Sequence, residues 1–147
     1  MKKIITHIFF LLSTCIIFAS LSSCGISDDE LILRKNIEQM RTAVSQHQAD
    51  KFMSFIADTY KSPFHRDKKT LQDFVNYHLK KNRVIYIYIT DINVEIDNDS
   101  AKIIFYSGIT GGPEQIPERG QLYKVGMRWS KANGQWLLTQ AKWRPAL

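Results

Sequence analysis

Apolar and polar residues alternate along the C-terminal stretch from Gln121 to Arg144. The first half places four large apolar residues at every second position, and these are Tyr123, Val125, Met127 and Trp129. This period of two predicts a strand with one buried face. Asn133-Gly134 follows and predicts a tight hairpin, because both central residues of a type I′ turn need positive φ. After the turn, two sets of residues alternate along the chain. One set is Trp136, Leu138 and Gln140, and the other is Leu137, Thr139, Ala141 and Trp143.

A helical period dominates the residues before position 84. Ser27-Asp28-Asp29-Glu30 has the S-x-x-E pattern of a capping box and precedes an apolar run. The apolar residues of that run share one helix face, and they are Leu33, Ile37, Met40 and Val44. We therefore predict a first helix from about Asp28 to Gln48. A break at Ala49-Asp50 is followed by a second, short helix whose apolar stripe is Phe52, Phe55, Ile56 and Tyr60.

A third helix is predicted after the connector Ser62–Asp67, which contains Pro63. Either Asp67 or Thr70 can cap it. Its buried face comprises Leu71, Phe74, Val75, His78 and Leu79. The cations around it are a solvated face or, alternatively, a face that contacts lipid headgroups, and they are Lys68, Lys69, Lys80, Lys81 and Arg83.

Two further strands are predicted between this helix and the hairpin. In the stretch from Val84 to Asp97 the apolar positions change phase at Thr90-Asp91, which predicts a bulge or sharp bend. A turn at 97–100 leads to a second strand from Ala101 to Thr110. The glycine- and proline-rich stretch from Gly111 to Gly120 is predicted to be a loop.

Three helices followed by four or more antiparallel strands define an α+β domain, with the helices on one face of a curved sheet. This order, ending in a hairpin with Trp129, Gly134 and Trp136, resembles the nuclear transport factor 2-like superfamily. The resemblance extends from about Asp28 to Arg144. It implies a conical domain with a pocket at its open end and an outer sheet face that often pairs two subunits. The superfamily includes isomerases, dehydratases and non-enzymatic binding modules, so the fold alone leaves the function open.

The first 23 residues have the layout of a secretory signal, with Lys2-Lys3 before a mostly apolar stretch from Ile4 to Leu21. An uncleaved membrane anchor is the alternative, although the apolar stretch is short for a spanning helix. Leu21-Ser22-Ser23-Cys24 resembles the lipobox of bacterial lipoproteins. The resemblance implies cleavage before Cys24 and its lipidation. With glycine at position 25, it also implies an outer-membrane location facing the periplasm. The predicted organisation is a signal peptide at 1–23, the lipidated cysteine and tether at 24–27, and the domain at 28–147.

Charge and composition bear on which kinds of binding site the domain can contain. The net charge is +6 over 147 residues, and without Lys2 and Lys3 of the predicted signal it is 18 − 14 = +4, which is mildly basic and does not by itself indicate nucleic-acid binding. The two cysteines, Cys15 and Cys24, both precede the domain, so it has no disulfide and no thiolate metal site. The three histidines of the domain lack metal-ligand spacing, and no cofactor motif is present.

Five residues are candidates for the pocket: His78, Asp91, Tyr123, Met127 and Trp129. His78 and Asp91 together would resemble an acid–base pair, although a core histidine and a bulge or turn carboxylate are the more ordinary interpretations of these two residues. His65 lies near the expected mouth or is simply an exposed loop residue. Tyr86 and Tyr88 either donate to an oxyanion or pack across strands.

Trp136 and Leu138 are predicted to lie on the outer sheet face, opposite Trp129, where they suggest a homodimer or an envelope-protein contact. The alternative is that the chain's own termini bury them. The leading hypothesis is a lipid-anchored, non-enzymatic module that binds a partner protein or a small apolar ligand. The alternative is a small isomerase or dehydratase that uses Asp91 and His78.

Overall fold

Three helices are followed by four strands in the part of the chain that the structure describes. The structure is a computed structural model that describes residues 25–112 and 119–146. The predicted signal peptide, the lipobox and Cys24 lie outside the described residues. The helices are α1 (Asp28–Ser45), α2 (Ala49–Met53) and α3 (Lys68–Lys81). The strands are β1 (Val84–Asp97), β2 (Ser100–Gly112), β3 (Arg119–Ala132) and β4 (Gln135–Pro145), which form one antiparallel sheet in the order β1-β2-β3-β4. The predicted α+β class is confirmed.

The helix starts follow the predicted caps. Ser27 caps α1 and accepts a hydrogen bond from the Glu30 backbone N–H at 3.2 Å. The Glu30 carboxylate does not complete the box, because it accepts a hydrogen bond from Arg34 Nε at 2.8 Å instead. Asp67 caps α3, and its exchange of hydrogen bonds with Thr70 forms a full capping box. Of the two caps proposed for α3, Asp67 is the one observed.

The second helix is much shorter than its apolar stripe predicts. It ends at Met53, and the chain beyond it runs beside β4. The Leu138 N–H donates to the Phe55 carbonyl at 2.8 Å, and the Ala57 N–H donates to the Leu138 carbonyl at 3.0 Å. Since these backbone groups are paired with a strand, they are unavailable to a helix, and pairing with β4 overrides the local helical period.

The phase change in β1 is a bulge, as predicted. The register with β2 shifts between Thr90 and Asn93, and Asp91 has φ 54°. The extra residue returns the later apolar residues to the same face as the earlier ones. All the apolar residues concerned pack against the core: Ile85, Ile87, Ile89, Ile92, Val94 and Ile96.

A second bulge, in β4, overturns the predicted outer-face contact. Arg128 pairs with Gln140 but Trp129 pairs with Leu138, so Thr139 lies in the bulge. Its hydroxyl donates to the Arg128 carbonyl at 3.0 Å. This shift places Trp136 and Leu138 on the same inner face as Trp129, where each is only 2% exposed. The prediction that these two residues form a subunit interface is therefore wrong.

The backbone geometry and the strand bounds can be compared with the predicted hairpin turn and the predicted loop before it. Asn133 and Gly134 both have positive φ, of 51° and 77°, as a type I′ turn requires. The predicted loop from Gly111 to Gly120 is too long at both ends, because β2 continues through Gly112 and β3 begins at Arg119. Long flanking strands favour this extension, since each further residue adds to the β2–β3 ladder.

Candidate functional site

A cavity of about 980 Å³ lies between the helices and the inner face of the sheet. Helices α1 and α3 form one wall, and all four strands contribute to the other. Because the inner positions of the strands are aliphatic or aromatic, most of the lining is apolar; it includes Ile37, Met40, Val75, Ile87, Phe105 and Val125. The cavity is thus a hydrophobic space at the position where the fold resemblance implies a pocket.

Few polar groups reach this cavity. Ser107 lines it from the middle of β2 and is 3% exposed. Tyr123 and Gln121 line it from β3, and the Tyr123 hydroxyl donates to Gln121 Oε1 at 2.6 Å. Arg41 lines it from α1 while its Nε donates to both carboxylate oxygens of Glu38, at 3.0 and 2.9 Å. Among the described lining residues none is an aspartate or a glutamate.

Tyr60 supplies a buried polar atom next to this space. Its side chain lines the cavity and is 1% exposed, yet its hydroxyl has no well-formed hydrogen bond to any described residue. Burial raises the pKa of the phenol, and the nearby Ser62 side chain and Ala141 backbone only partly oppose that rise. A buried hydroxyl without a partner is costly, and a polar atom of a ligand could satisfy it.

His78 lies at the rim of the cavity, exposed on α3. Its ring packs on Phe74, with 4.3 Å between ring centroids, and meets Tyr77 edge-on at 5.2 Å. Partial burial, assisted by the positive charge of Lys81, lowers the pKa of His78. The imidazole is therefore neutral at pH 7, and it can accept or donate a hydrogen bond at the rim.

His65 is buried, at 6% exposure, rather than being an exposed loop residue. Its ring packs on Phe74 at 4.6 Å and on Trp143 at 5.7 Å, and the Phe64 ring packs on Trp143 at 4.4 Å. Burial lowers the pKa of His65. The connector between α2 and α3 thus closes over an aromatic cluster at the same end of the cavity as His78.

The structure does not bring the proposed acid–base pair together. Asp91 is exposed at the β1 bulge and is not part of the cavity lining. His78, Tyr123 and Met127 do line the cavity. Trp129 belongs to the closed part of the core and is 1% exposed. Tyr86 and Tyr88 point outward, away from the cavity, at 46% and 66% exposure.

Sequence reasoning missed several polar lining residues, among them Ser107, Arg41 and Tyr60. Ser107 continues the inner alternation of Ile103 and Phe105, so its period-two position signals an inward side chain. Arg41 follows Ile37 by four residues on α1, which places it beside the buried face. The sequence pattern places Tyr60 on a helix stripe, so only the tertiary structure gives its position beside the cavity.

No protein-family model matches the chain, and no curated protein sequence matches it. Solved structures do. The chain superimposes with a TM-score of 0.73 on a candidate dehydratase of the nuclear transport factor 2-like family from Streptomyces avermitilis, at 16% identity, covering 81% of this chain and 96% of that one. It matches a nuclear transport factor 2-like protein of unknown function from Pseudomonas putida with a TM-score of 0.70 at 16% identity, covering 81% and 88%.

A third similar structure is a Bdellovibrio bacteriovorus protein, with a TM-score of 0.72 at 13% identity. The match covers 83% of this chain but only 44% of that longer one. At such identities the likeness defines the fold and not the activity. The domain therefore has the nuclear transport factor 2-like fold.

Neither a membrane-spanning helix nor a metal-binding cluster is found in residues 25–112 and 119–146. No helix there is long and apolar enough to cross a membrane. No group of three or more histidine, cysteine, aspartate or glutamate side chains there is arranged to hold a metal ion.

Proposed function

We propose that this protein is a lipid-anchored periplasmic binding protein that holds a small, largely apolar ligand in the cavity of its domain. The observation that carries the proposal is the cavity itself, with its volume of about 980 Å³ and its aliphatic and aromatic lining. Ligand sites in proteins have volumes of about 300–1,000 Å³ and combine an apolar lining with a few placed polar groups.

The polar groups support a ligand that carries one or two polar atoms. Ser107 and the Tyr60 hydroxyl are buried in the wall, whereas His78 and Arg41 reach the lining from the helices. An apolar body would bury its surface against the sheet, at about 25 cal/mol per Å² of area removed from water. A hydroxyl or carbonyl on the ligand could pair with Tyr60 or Ser107.

The support for a lipid anchor comes from the sequence. Lipidation of Cys24 would leave only residues 25–27 before α1, which begins at Asp28. Three extended residues reach on the order of 10 Å, so the domain would lie close to the headgroups. A cavity held there is well placed to exchange an apolar ligand with the membrane. Several acyl chains on one cysteine would give a stable attachment.

One observation favours an enzymatic alternative. His78 has a lowered pKa at the rim of the cavity and could act as a base in an isomerase or dehydratase. The carboxylate partner proposed from the sequence is missing from the described lining, because Asp91 is exposed elsewhere. Substituting Asp91→Asn should therefore leave any activity intact, whereas His78→Gln should abolish an enzymatic activity and weaken ligand binding only modestly.

Native mass spectrometry of residues 25–147, produced in a periplasm, tests ligand binding directly. These residues contain the hydrophobic core of the domain that the structure describes, so we expect the segment to fold without the first 24. A discrete additional mass that is lost on gentle activation supports the proposal. A protein that is always empty and that does not enhance the fluorescence of the apolar dye anilinonaphthalene sulfonate would contradict it.

A matched pair of variants locates the ligand. Ser107→Trp places an indole in the middle of the cavity, and Tyr106→Trp places the same residue on the opposite face of the same strand. We expect Ser107→Trp to weaken dye binding at least tenfold and Tyr106→Trp to leave it within about twofold. Equal binding by the two variants would show that the ligand does not enter the cavity.

The anchor has a separate test. Cys24→Ser in the full chain should prevent lipidation and cleavage, so that the precursor is neither shortened nor labelled by a radioactive fatty acid. Processing and labelling unchanged from the parent chain would contradict the lipoprotein assignment, without affecting the cavity proposal.

A further inference from the structure

The outer face of the sheet carries a cluster of cations that the ligand cavity does not use. Strands β2, β3 and β4 contain no aspartate or glutamate. Five cations occupy outer positions on them, and we call this surface the basic face: Lys102, Lys124, Arg128, Lys142 and Arg144. The only anion bonded to the basic face among the described residues is Glu95 of β1, which accepts from Lys102 at 3.0 Å.

Cations of the basic face lie directly opposite one another on neighbouring strands. Lys102 pairs directly across the sheet with Arg128, and Lys124 pairs with Arg144. Like charges directly opposite on neighbouring strands destabilise a sheet. The fold therefore accepts an electrostatic cost on this face, and an external anionic surface would remove that cost. A shallow groove of about 300 Å³ lies among these side chains, over Gly126.

Exposed aromatic and apolar side chains share the same outer face. Tyr88, Gly108 and Leu122 form one row across three strands, and Tyr88 and Leu122 are 66% and 41% exposed. Lys124 lies over the ring of Tyr106, with its Nζ 5.7 Å from the ring centroid. Cations mixed with tyrosines suit the headgroup level of a bilayer, where an amphipathic ring has one apolar and one wet side.

We infer that the basic face docks on the anionic phospholipid headgroups of the membrane. Its orientation relative to the bilayer rests on the proposed anchor, because α1 starts at the tip of the β3–β4 hairpin. There, Lys131 Nζ donates to Asp29 at 2.8 Å, and Arg128 is three residues away on the same strand. An anchor that emerges at this tip and a basic face beside it can reach one membrane surface together.

Two other surfaces fit less well. A symmetric dimer through the basic face would oppose cations with cations, which costs several kcal/mol in a protein interface. The cations at the start of α3 are already paired, since Lys68 bonds Asp58 at 2.8 Å and Lys69 bonds Asp73 at 2.7 Å. Lys80 and Lys81, at the end of α3, are exposed and offer a control of equal charge.

The test is co-sedimentation of residues 25–147, which lack the anchor, with lipid vesicles. Vesicles of phosphatidylglycerol and phosphatidylcholine should bind the domain at about 0.1 M ionic strength and release it at high salt. Vesicles of phosphatidylcholine alone should bind it weakly. Equal binding to both vesicle types, binding to neither, or dimerisation through this face without vesicle binding would overturn the inference.

Charge-reversal variants identify the face. Arg128→Glu with Lys142→Glu should weaken binding to anionic vesicles about 25-fold or more, because each cation near an anionic surface contributes roughly a factor of five. Lys80→Glu with Lys81→Glu makes the same change in net charge and should cost no more than about threefold. Arg128→Gln with Lys142→Gln serves if the reversed pair fails to fold. Equal losses in the sheet and helix variants would overturn the proposed face.

The proposal about the cavity and the inference about the basic face can be refuted independently of each other. Ser107→Trp should bind anionic vesicles like the parent while losing the dye. If the parent binds vesicles but never binds an apolar ligand, the cavity proposal falls and the basic face remains. If it binds dye but no anionic vesicle, the inference about the basic face is the one that falls.

Discussion

Leu138 provides a sharp test of how β4 packs, because its inward orientation depends on the bulge at Thr139. The side chain is 2% exposed, and its backbone is bonded to both Phe55 and Ala57. Its neighbour Leu137 lies on the other side of the strand and is only partly buried. The two residues are both leucines, and they differ in the face of the strand that they occupy.

Truncation of Leu138 to alanine should cost about 3 kcal/mol in the free energy of unfolding. Burial of a leucine and the cavity left by its loss together give about 2–5 kcal/mol. We place the value in the lower half of this range because Leu138 already borders the large cavity and so has fewer packed neighbours to lose. Leu137→Ala, at a half-buried site, should cost about 1 kcal/mol or less.

Urea unfolding followed by tryptophan fluorescence measures both values. With a slope near 2 kcal/mol per molar urea, Leu138→Ala should lower the midpoint by roughly 1.5 M and Leu137→Ala by about 0.5 M or less. Equal slopes would show that the comparison reflects stability and not a changed unfolded state. A larger loss from Leu137→Ala than from Leu138→Ala would refute the bulge and restore the outward orientation of Leu138.

Two further predictions concern buried polar groups in the segment between α2 and α3. Burial lowers the pKa of His65, so the folded state binds a proton at this ring less readily than the unfolded state does. The free energy of unfolding should therefore be highest above about pH 6.5 and should decline as the pH falls below that value. His65→Phe should flatten this decline in urea titrations between about pH 7 and 5, and an unchanged pH dependence would contradict burial of a neutral imidazole. Tyr60→Phe should leave the free energy of unfolding unchanged or raise it by about 1 kcal/mol, because the removed hydroxyl lacks a partner among the described residues. A loss of more than about 1 kcal/mol in urea unfolding would show that this hydroxyl is hydrogen-bonded in the folded protein.

The candidate site shows where sequence patterns are informative about function. The placement of His78, Tyr123 and Met127 at the cavity follows from one helical and one strand period, each read over a few residues. The pairing of His78 with Asp91 required a distance between two elements, and no local period contains that distance. Asp91 is a bulge residue with positive φ, where aspartate is favoured by backbone geometry, and its carboxylate is turned to solvent.

The α+β class, the helix caps, the β1 bulge and the Asn133-Gly134 turn were all determined by the sequence alone, because each depends on residues only a few positions apart. Other features were decided by the tertiary structure. The chain after Met53 exchanged helix for pairing with β4, and Thr139 entered a bulge that turned Trp136 and Leu138 inward. The outer cations became one surface only through the sheet register. A register joins residues far apart in the chain, and the energy that selects it comes from burying one whole face of the sheet.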